Sequence, residues 1–128
     1  FPKPEVIAAT DLSSLGMPGK RAAALSSLAQ AILDDPRIFA AGRELDEAIA
    51  TLRGLPGIGE WTAQYIAMRL LREPDAFPAA DIGLMRAMAN DTGARPTAKE
   101  LLQRAEAWRP WRAYAAQHLW SSAAGRGR

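Results

Sequence analysis

The sequence contains no cysteine and only one histidine, His118, in 128 residues. Without thiolates the chain can form no disulfide, no iron–sulfur cluster and no cysteine nucleophile, and the usual ligands of a structural zinc site are missing. We therefore expect no transition-metal site and no required cofactor.

Long apolar runs and alternating strand patterns are missing as well. No stretch approaches the roughly 18 apolar residues of a membrane span, and no cleavable leader opens the chain. The chain starts at Phe1 rather than Met, so we interpret it as part of a larger native polypeptide, and we expect a cytoplasmic location. With 48% hydrophobic residues, the chain is expected to form one globular domain.

Lysine is scarce, so arginine supplies most of the positive charge. The 16 basic residues include only Lys3, Lys20 and Lys99, and they are nearly balanced by 14 acidic residues. A small positive excess permits contact with phosphates, although an ordinary solvated surface would look the same.

Apolar residues recur at three- and four-residue spacing along most of the chain, which is the helical period. Pro4 opens a short first helix, and a helical turn follows over residues 11–16. Thr97 and Glu100 have the spacing of a capping box. The pattern predicts an all-α helical bundle with further helices over residues 20–33, 44–52, 60–71, 82–90, 97–108 and 110–123.

Residues 52–63 read Leu-Arg-Gly-Leu-Pro-Gly-Ile-Gly-Glu-Trp-Thr-Ala and lie between two predicted helices. Gly54, Gly57 and Gly59 relieve Cβ clashes and allow positive φ angles, while Pro56 fixes one φ angle. The next helix begins right after Gly59, so its unpaired N–H groups and its dipole favour a phosphate there. A glycine-rich turn alone would more simply be an ordinary helix end.

Asp81 follows a proline-limited loop, residues 73–78, at the expected start of a helix. Its simplest role is that of an N-cap. A carboxylate held by N–H donors also stays ionised, as is needed to stabilise an oxocarbenium-like state during cleavage of an N-glycosidic bond.

Three aromatic residues, Trp61, Tyr65 and Trp120, are candidates for a pocket that holds an extracted, positively charged base. Aromatic residues on helical faces are more often core. Trp108 and Trp111 are expected to pack the last two helices together.

Together these motifs resemble a known family. The hairpin Leu55-Pro56-Gly57-Ile58-Gly59, the following Trp61-Thr62-Ala63, the proline-rich loop and Asp81 resemble the helix-hairpin-helix GPD superfamily of DNA glycosylases. Further segments resemble its 3-methyladenine DNA glycosylase II branch of the AlkA type: Gly16-Met17-Pro18, Lys20-Arg21-Ala22, Trp108-Arg109-Pro110-Trp111-Arg112, Tyr114-Ala115 and His118-Leu119-Trp120.

The resemblance implies excision of alkylated bases, chiefly 3-methyladenine, flipped out of double-stranded DNA. It implies that Asp81 is catalytic and that Trp61, Tyr65 and Trp120 line the base pocket. It also implies a monovalent cation on the carbonyls of Arg53, Leu55 and Ile58. The residues implied to contact the DNA backbone are Leu55, Pro56, Gly57, Ile58, Gly59, Trp61 and Thr62.

The chain departs from this pattern in two places. Ile82 follows Asp81 where relatives carry an aromatic residue, so the substrate range is in question. Residues 1–128 would form only the C-terminal part of the glycosylase domain, because the family's N-terminal β-rich domain and opening helices are absent, and the fragment could be inactive alone. Strand-nicking members carry a lysine in the helix after the hairpin, and Trp61 occupies that position, which implies a monofunctional enzyme.

Two other functions fit the residues themselves. A non-catalytic helix-hairpin-helix module would bind the DNA backbone without needing Asp81. An all-α protein-interaction module would show no salt-dependent DNA affinity at all.

Overall fold

A computed structural model describes residues 1–40 and 44–126 of the chain. This part of the chain is helical and contains no strand, so the predicted all-α class is confirmed. The helices are α1 Pro4–Ala9, α2 Gly19–Asp34, α3 Leu45–Arg53, α4 Glu60–Arg69, α5 Ile82–Ala87, α6 Ala98–Ala105 and α7 Arg112–Arg126. Two 3-10 turns, Leu12–Leu15 and Glu106–Trp108, complete the set for these residues.

The helix caps follow the sequence closely. Asp11 caps the first 3-10 turn, and Gly16 ends it with φ 79°. Thr97 and Glu100 form the predicted capping box of α6. Local hydrogen-bonding side chains therefore fix these boundaries as expected.

Three predicted helices end early. α4 stops at Arg69 rather than residue 71, because the chain turns through Arg72, which has φ 55°. α5 stops at Ala87 rather than residue 90, where the side chain of Asn90 accepts hydrogen bonds from the amides of Thr92 and Ala94. α6 stops at Ala105 and continues as the 3-10 turn.

The backbone forms two compact units, residues 1–63 and 64–128. In the first unit α1 packs against α2. Its buried side chains come mainly from α2 and α3 and include Ala22, Ala29, Ala48, Ile49 and Leu52.

In the second unit α5 packs against α7. Leu84, Leu101 and Ala116 are fully buried, and Phe77 is 2% exposed. Trp108 contacts Phe77 edge-on, with 6.0 Å between the ring centroids. Trp111 does not pack as expected, because its side chain is 58% exposed.

A buried arginine fixes the loop at residues 73–78. Arg112, only 4% exposed, donates from Nε to the carboxylate of Asp75 at 2.9 Å and to its carbonyl at 3.1 Å. Arg109 donates to the other carboxylate oxygen at 3.0 Å. The amide of Ala113 binds the carbonyl of Pro74 at 2.8 Å. These hydrogen bonds fix the loop to the start of α7, and Asp81 follows the loop in the chain.

None of the helices in the described ranges is long and apolar enough to cross a bilayer.

Candidate functional site

The glycine-rich segment forms the predicted hairpin between α3 and α4. Gly54 ends α3, and the amide of Leu55 binds the carbonyl of Leu52 at 3.1 Å. The amide of Ile58 then binds the carbonyl of Leu55 at 3.2 Å, which closes the turn. α4 starts at Glu60, and the carbonyl of Gly59 accepts the amide of Ala63 at 2.9 Å.

The three hairpin glycines differ in what they do. Gly57 has φ 79°, and a Cβ placed on it would lie 2.5 Å from Cβ of Ala24. This glycine therefore permits both the left-handed turn and the close approach of the hairpin to α2. Gly54 has an ordinary helical φ of −67°, and Gly59 has open space around it and no positive φ. Only one of the three needs the left-handed region.

The outer face of the hairpin offers main-chain donors. Pro56, Gly57 and Gly59 are exposed. Within residues 1–40 and 44–126, the amides of Gly57 and Gly59 have no hydrogen-bond acceptor. Two accessible N–H groups beside a helix N-terminus are suited to binding an anion. An exposed ion pair between Arg53 and Glu60, at 3.1 Å, joins the two helices across the turn.

Asp81 is the N-cap of α5 and is partly buried. Its Oδ1 accepts the amide of Leu84 at 2.9 Å and the indole Nε1–H of Trp120 at 2.8 Å. The first bond is the predicted cap, and the second comes from α7, 39 residues further along the chain. Two N–H donors on one oxygen fix the orientation of the carboxylate and favour its charged form.

Gly83 makes room for this arrangement. A Cβ at Gly83 would lie 3.0 Å from Oδ1 of Asp81 and 3.3 Å from Cδ1 of Trp120. Both distances are shorter than ordinary carbon contacts, so a side chain here would push the carboxylate or the indole aside. Sequence reasoning missed this residue, although a glycine inside a short helix signals close approach by a neighbour.

Tyr65 lies next to Trp120 in the second unit. Their ring centroids are 6.3 Å apart and the planes are inclined by 61°, an edge-on contact. The guanidinium carbon of Arg69 also lies over the ring of Tyr65, 5.6 Å from its centroid. Tyr65, Trp120 and Asp81 are therefore linked by successive contacts.

Two other residues of the predicted site are exposed. Trp61 lies in the first unit, in the first turn of α4, with 38% of its side chain exposed. Ile82, which follows Asp81, is 59% exposed. Both side chains are therefore accessible to a ligand.

No family model matches the chain, but individual proteins do. It is 39% identical over 123 residues to DNA-3-methyladenine glycosylase 2 of Escherichia coli, a match covering 94% of the chain and 42% of that protein. The probable bifunctional transcriptional activator/DNA repair enzyme AlkA of Mycobacterium tuberculosis is 41% identical over 122 residues, covering 95% of the chain and 24% of that protein.

A solved structure shows the same fold. The 3-methyladenine DNA glycosylase Mag1 of Schizosaccharomyces pombe, in complex with abasic DNA, superposes with a TM-score of 0.82 at 26% identity. The match covers 94% of this chain and 62% of Mag1. The chain is homologous to one region of the AlkA-type 3-methyladenine DNA glycosylases.

This homology confirms the resemblance predicted from the hairpin and Asp81. The chain spans about a quarter to two-fifths of the length of these two curated relatives, 24% and 42%. The fold and the similarity to one region of these glycosylases are therefore established, whereas the roles of individual residues are proposals that rest on the geometry above.

Proposed function

We propose that this chain carries the catalytic aspartate and the backbone-binding hairpin of a monofunctional DNA glycosylase. Its substrate would be double-stranded DNA containing alkylated bases of the 3-methyladenine type. The observation that carries the proposal is that the carboxylate of Asp81 is fixed. Its Oδ1 accepts the amide of Leu84 and the indole N–H of Trp120, and Trp120 lies beside the ring of Tyr65.

The proposed reaction is hydrolysis of the N-glycosidic bond. As the bond between C1′ and the base breaks, positive charge develops on the sugar, and an ionised Asp81 would stabilise that charge. Water adds to C1′ and its proton leaves, while the bonding electrons depart with the base. A base alkylated at a ring nitrogen, as in 3-methyladenine, is cationic in the nucleotide, so it is a good leaving group and is attracted to electron-rich aromatic faces, for which Tyr65, Trp120 and Trp61 are the candidates.

The hairpin would hold the duplex during this step. The exposed amides of Gly57 and Gly59 are placed to donate to a phosphate, with the N-terminus of α4 behind them. The other proposed contacts are Leu55, Pro56, Ile58, Trp61 and Thr62. Backbone contacts of this kind carry no sequence information, as suits an enzyme that must search for damage.

The proposed monovalent cation would be held by the carbonyls of Arg53, Leu55 and Ile58. The carbonyl of Leu55 already accepts the amide of Ile58 at 3.2 Å. A carbonyl oxygen has two lone pairs, so this bond is compatible with a cation ligand. The cation would add positive charge close to the bound phosphate, and the cleavage chemistry at Asp81 does not depend on it.

The deciding experiment is release of 3-methyladenine from methylated duplex DNA by the chain and by its Asp81→Asn variant. Asparagine is an equally good N-cap, so α5 should stay intact while the negative charge is lost. We expect release to fall about 100-fold or more, the size typical of losing one catalytic group. Asp91→Asn, an exposed change elsewhere in the second unit, is the matched control. If the chain alone releases no base, the same pair is compared in any longer polypeptide that contains the chain.

The alternative, a non-catalytic DNA-binding module, is favoured only by the hairpin. It predicts that affinity for undamaged duplex DNA falls steeply with salt, that neither the chain nor Asp81→Asn releases base, and that both bind DNA equally well. Loss of release with retained binding would reject this alternative. Absence of any salt-dependent affinity would contradict both proposals and favour a protein-interaction module.

A further inference from the structure

The second unit contains a surface cavity that the proposed glycosylase chemistry does not use. The cavity has a volume of about 350 Å³ and lies at the carboxyl end of α4, against the first turns of α7. Met68, Arg69 and Arg72 line it from α4 and the turn after that helix, and Tyr114 and Gln117 line it from α7. This volume is at the small end of the range of ligand pockets.

Arg72 occupies a left-handed backbone position, at which glycine is the preferred residue. The amide of Glu73 binds the carbonyl of Ala67 at 3.0 Å across the end of α4, a closure that spans seven residues, and the residue before the closing amide is left-handed. Arg72 is that residue, with φ 55°. A side chain there costs conformational energy that glycine avoids. Arg72 lines the cavity, so this strained backbone position brings a guanidinium to it.

Arg69 supplies a second guanidinium to the same cavity. Its guanidinium carbon lies over the ring of Tyr65, 5.6 Å from the centroid, a cation–π contact that leaves N–H groups to bind an acceptor. Neither Arg69 nor Arg72 forms an ion pair with any residue that the structure describes. Glu73 also lines the cavity, so its charged groups are two cations and one anion.

The residues that α7 contributes to the cavity include a flat aromatic ring and an amide. Tyr114 is 65% exposed and stands edge-on to Trp111, which is 58% exposed, with 5.9 Å between the ring centroids. Exposed aromatic faces stack on nucleobases without regard to sequence. The amide nitrogen of Gln117 donates to the sulfur of Met68 at 3.4 Å, a weak acceptor that a better one would replace.

We propose that this cavity binds a nucleoside monophosphate unit. The phosphate would lie against Arg69 and Arg72, and the base against Tyr114 with its edge toward Gln117. Guanidinium groups match the geometry of phosphate oxygens, and the small volume limits the ligand to a single nucleotide. The unit would be either a free nucleotide or a nucleotide of a single-stranded segment. This proposal does not depend on the glycosylase activity.

The test is calorimetric titration of the 128-residue chain with AMP, beside Arg72→Gly and the control Arg95→Ala. Arg95 is exposed and lies outside the cavity lining, so its loss removes the same charge elsewhere. We expect saturable binding of one AMP per chain. Arg72→Gly should bind AMP at least about ten-fold more weakly, while its melting temperature stays equal or rises because glycine relieves the strained φ. Arg95→Ala should bind within about two-fold of the unchanged chain.

Adenosine and inorganic phosphate, titrated separately, should each bind more weakly than AMP. A short oligodeoxyadenylate distinguishes a free nucleotide from a single-stranded segment as the ligand. If the cavity binds a strand, the oligonucleotide should compete with AMP at a lower concentration. Failure of AMP to bind would overturn the proposal, as would equal losses in Arg72→Gly and Arg95→Ala. If a polyglutamate peptide competes for the cavity at a lower concentration than AMP itself does, the site is one for acidic protein segments and the proposal is wrong.

Discussion

At the scale of single residues, a glycine determines how the candidate catalytic carboxylate is held. Asp81 can receive the indole N–H of Trp120 at 2.8 Å only because Gly83 presents no Cβ toward either group. A hydrogen bond to a charged group is among the stronger interactions in a protein, and its strength falls steeply as the geometry deteriorates. Gly83 is therefore a positioning residue in the proposed site.

We predict that Gly83→Ala lowers base release by about ten-fold with little change in the free energy of unfolding. Alanine stabilises a helix by up to ~1 kcal/mol relative to glycine, which offsets part of the strain from the new methyl group. A shift of a few tenths of an ångström in a catalytic group is nevertheless costly for the reaction. Base release and urea unfolding would be measured on the same preparations.

Gly125→Ala is the matched control, because Gly125 also lies in a helix and a methyl group added there would meet no atom within 4 Å. It should keep full activity. Equal activity of both alanine variants would show that Gly83 has no positioning role.

The same residues show what could be predicted from the sequence. The cap bond from Leu84 to Asp81 joins residues three apart, so local pattern was sufficient to predict it. The bond from Trp120 joins residues 39 apart and exists because α5 packs on α7, which no local pattern specifies. Resemblance to a family predicted that Asp81 and Trp120 share a site, but not the hydrogen bond between them.

At the scale of elements, the hairpin depends on its contact with α2. Gly57, whose φ angle lies in the left-handed region, closes the turn. Its Cα carries no side chain and lies against Ala24. Two small residues in contact allow two backbones to approach closely, which holds the exposed amides in place. Sequence reasoning predicted the turn from its glycines but not the partner helix, since Ala24 lies 33 positions earlier in the chain.

We predict that Gly57→Ala destabilises the fold by about 2 kcal/mol or more and weakens binding to duplex DNA. A left-handed alanine costs roughly 1–2 kcal/mol by itself, and the overlap with Ala24 adds to that cost. Thermal unfolding and DNA binding at fixed salt would be measured together.

Gly59→Ala provides the comparison at the other end of the hairpin. This position has open space and no positive φ, so the free energy of unfolding should change by less than about 0.5 kcal/mol. Equal destabilisation of the two variants would contradict the contact between the hairpin and α2.

At the scale of the whole molecule, the distribution of amines limits the chemistry. The three lysines are Lys3, Lys20 and Lys99, so α4 contains none and Trp61 stands in its first turn. A glycosylase that also cuts the strand needs an amine to attack C1′ and form a Schiff base. Arginine cannot substitute, because its guanidinium stays protonated.

We therefore predict that borohydride reduction in the presence of abasic duplex DNA traps no covalent adduct through a lysine of this chain. A Trp61→Lys variant, which supplies an amine in the first turn of α4, is the matched comparison under the same reducing conditions. Peptide mapping of any adduct would locate the attacking nitrogen, so that reaction at the amine of Phe1 is distinguished from reaction at a side chain. An adduct at Lys3, Lys20 or Lys99 that forms as fast as base release would contradict the monofunctional assignment, since the strand could then be cut through the same intermediate.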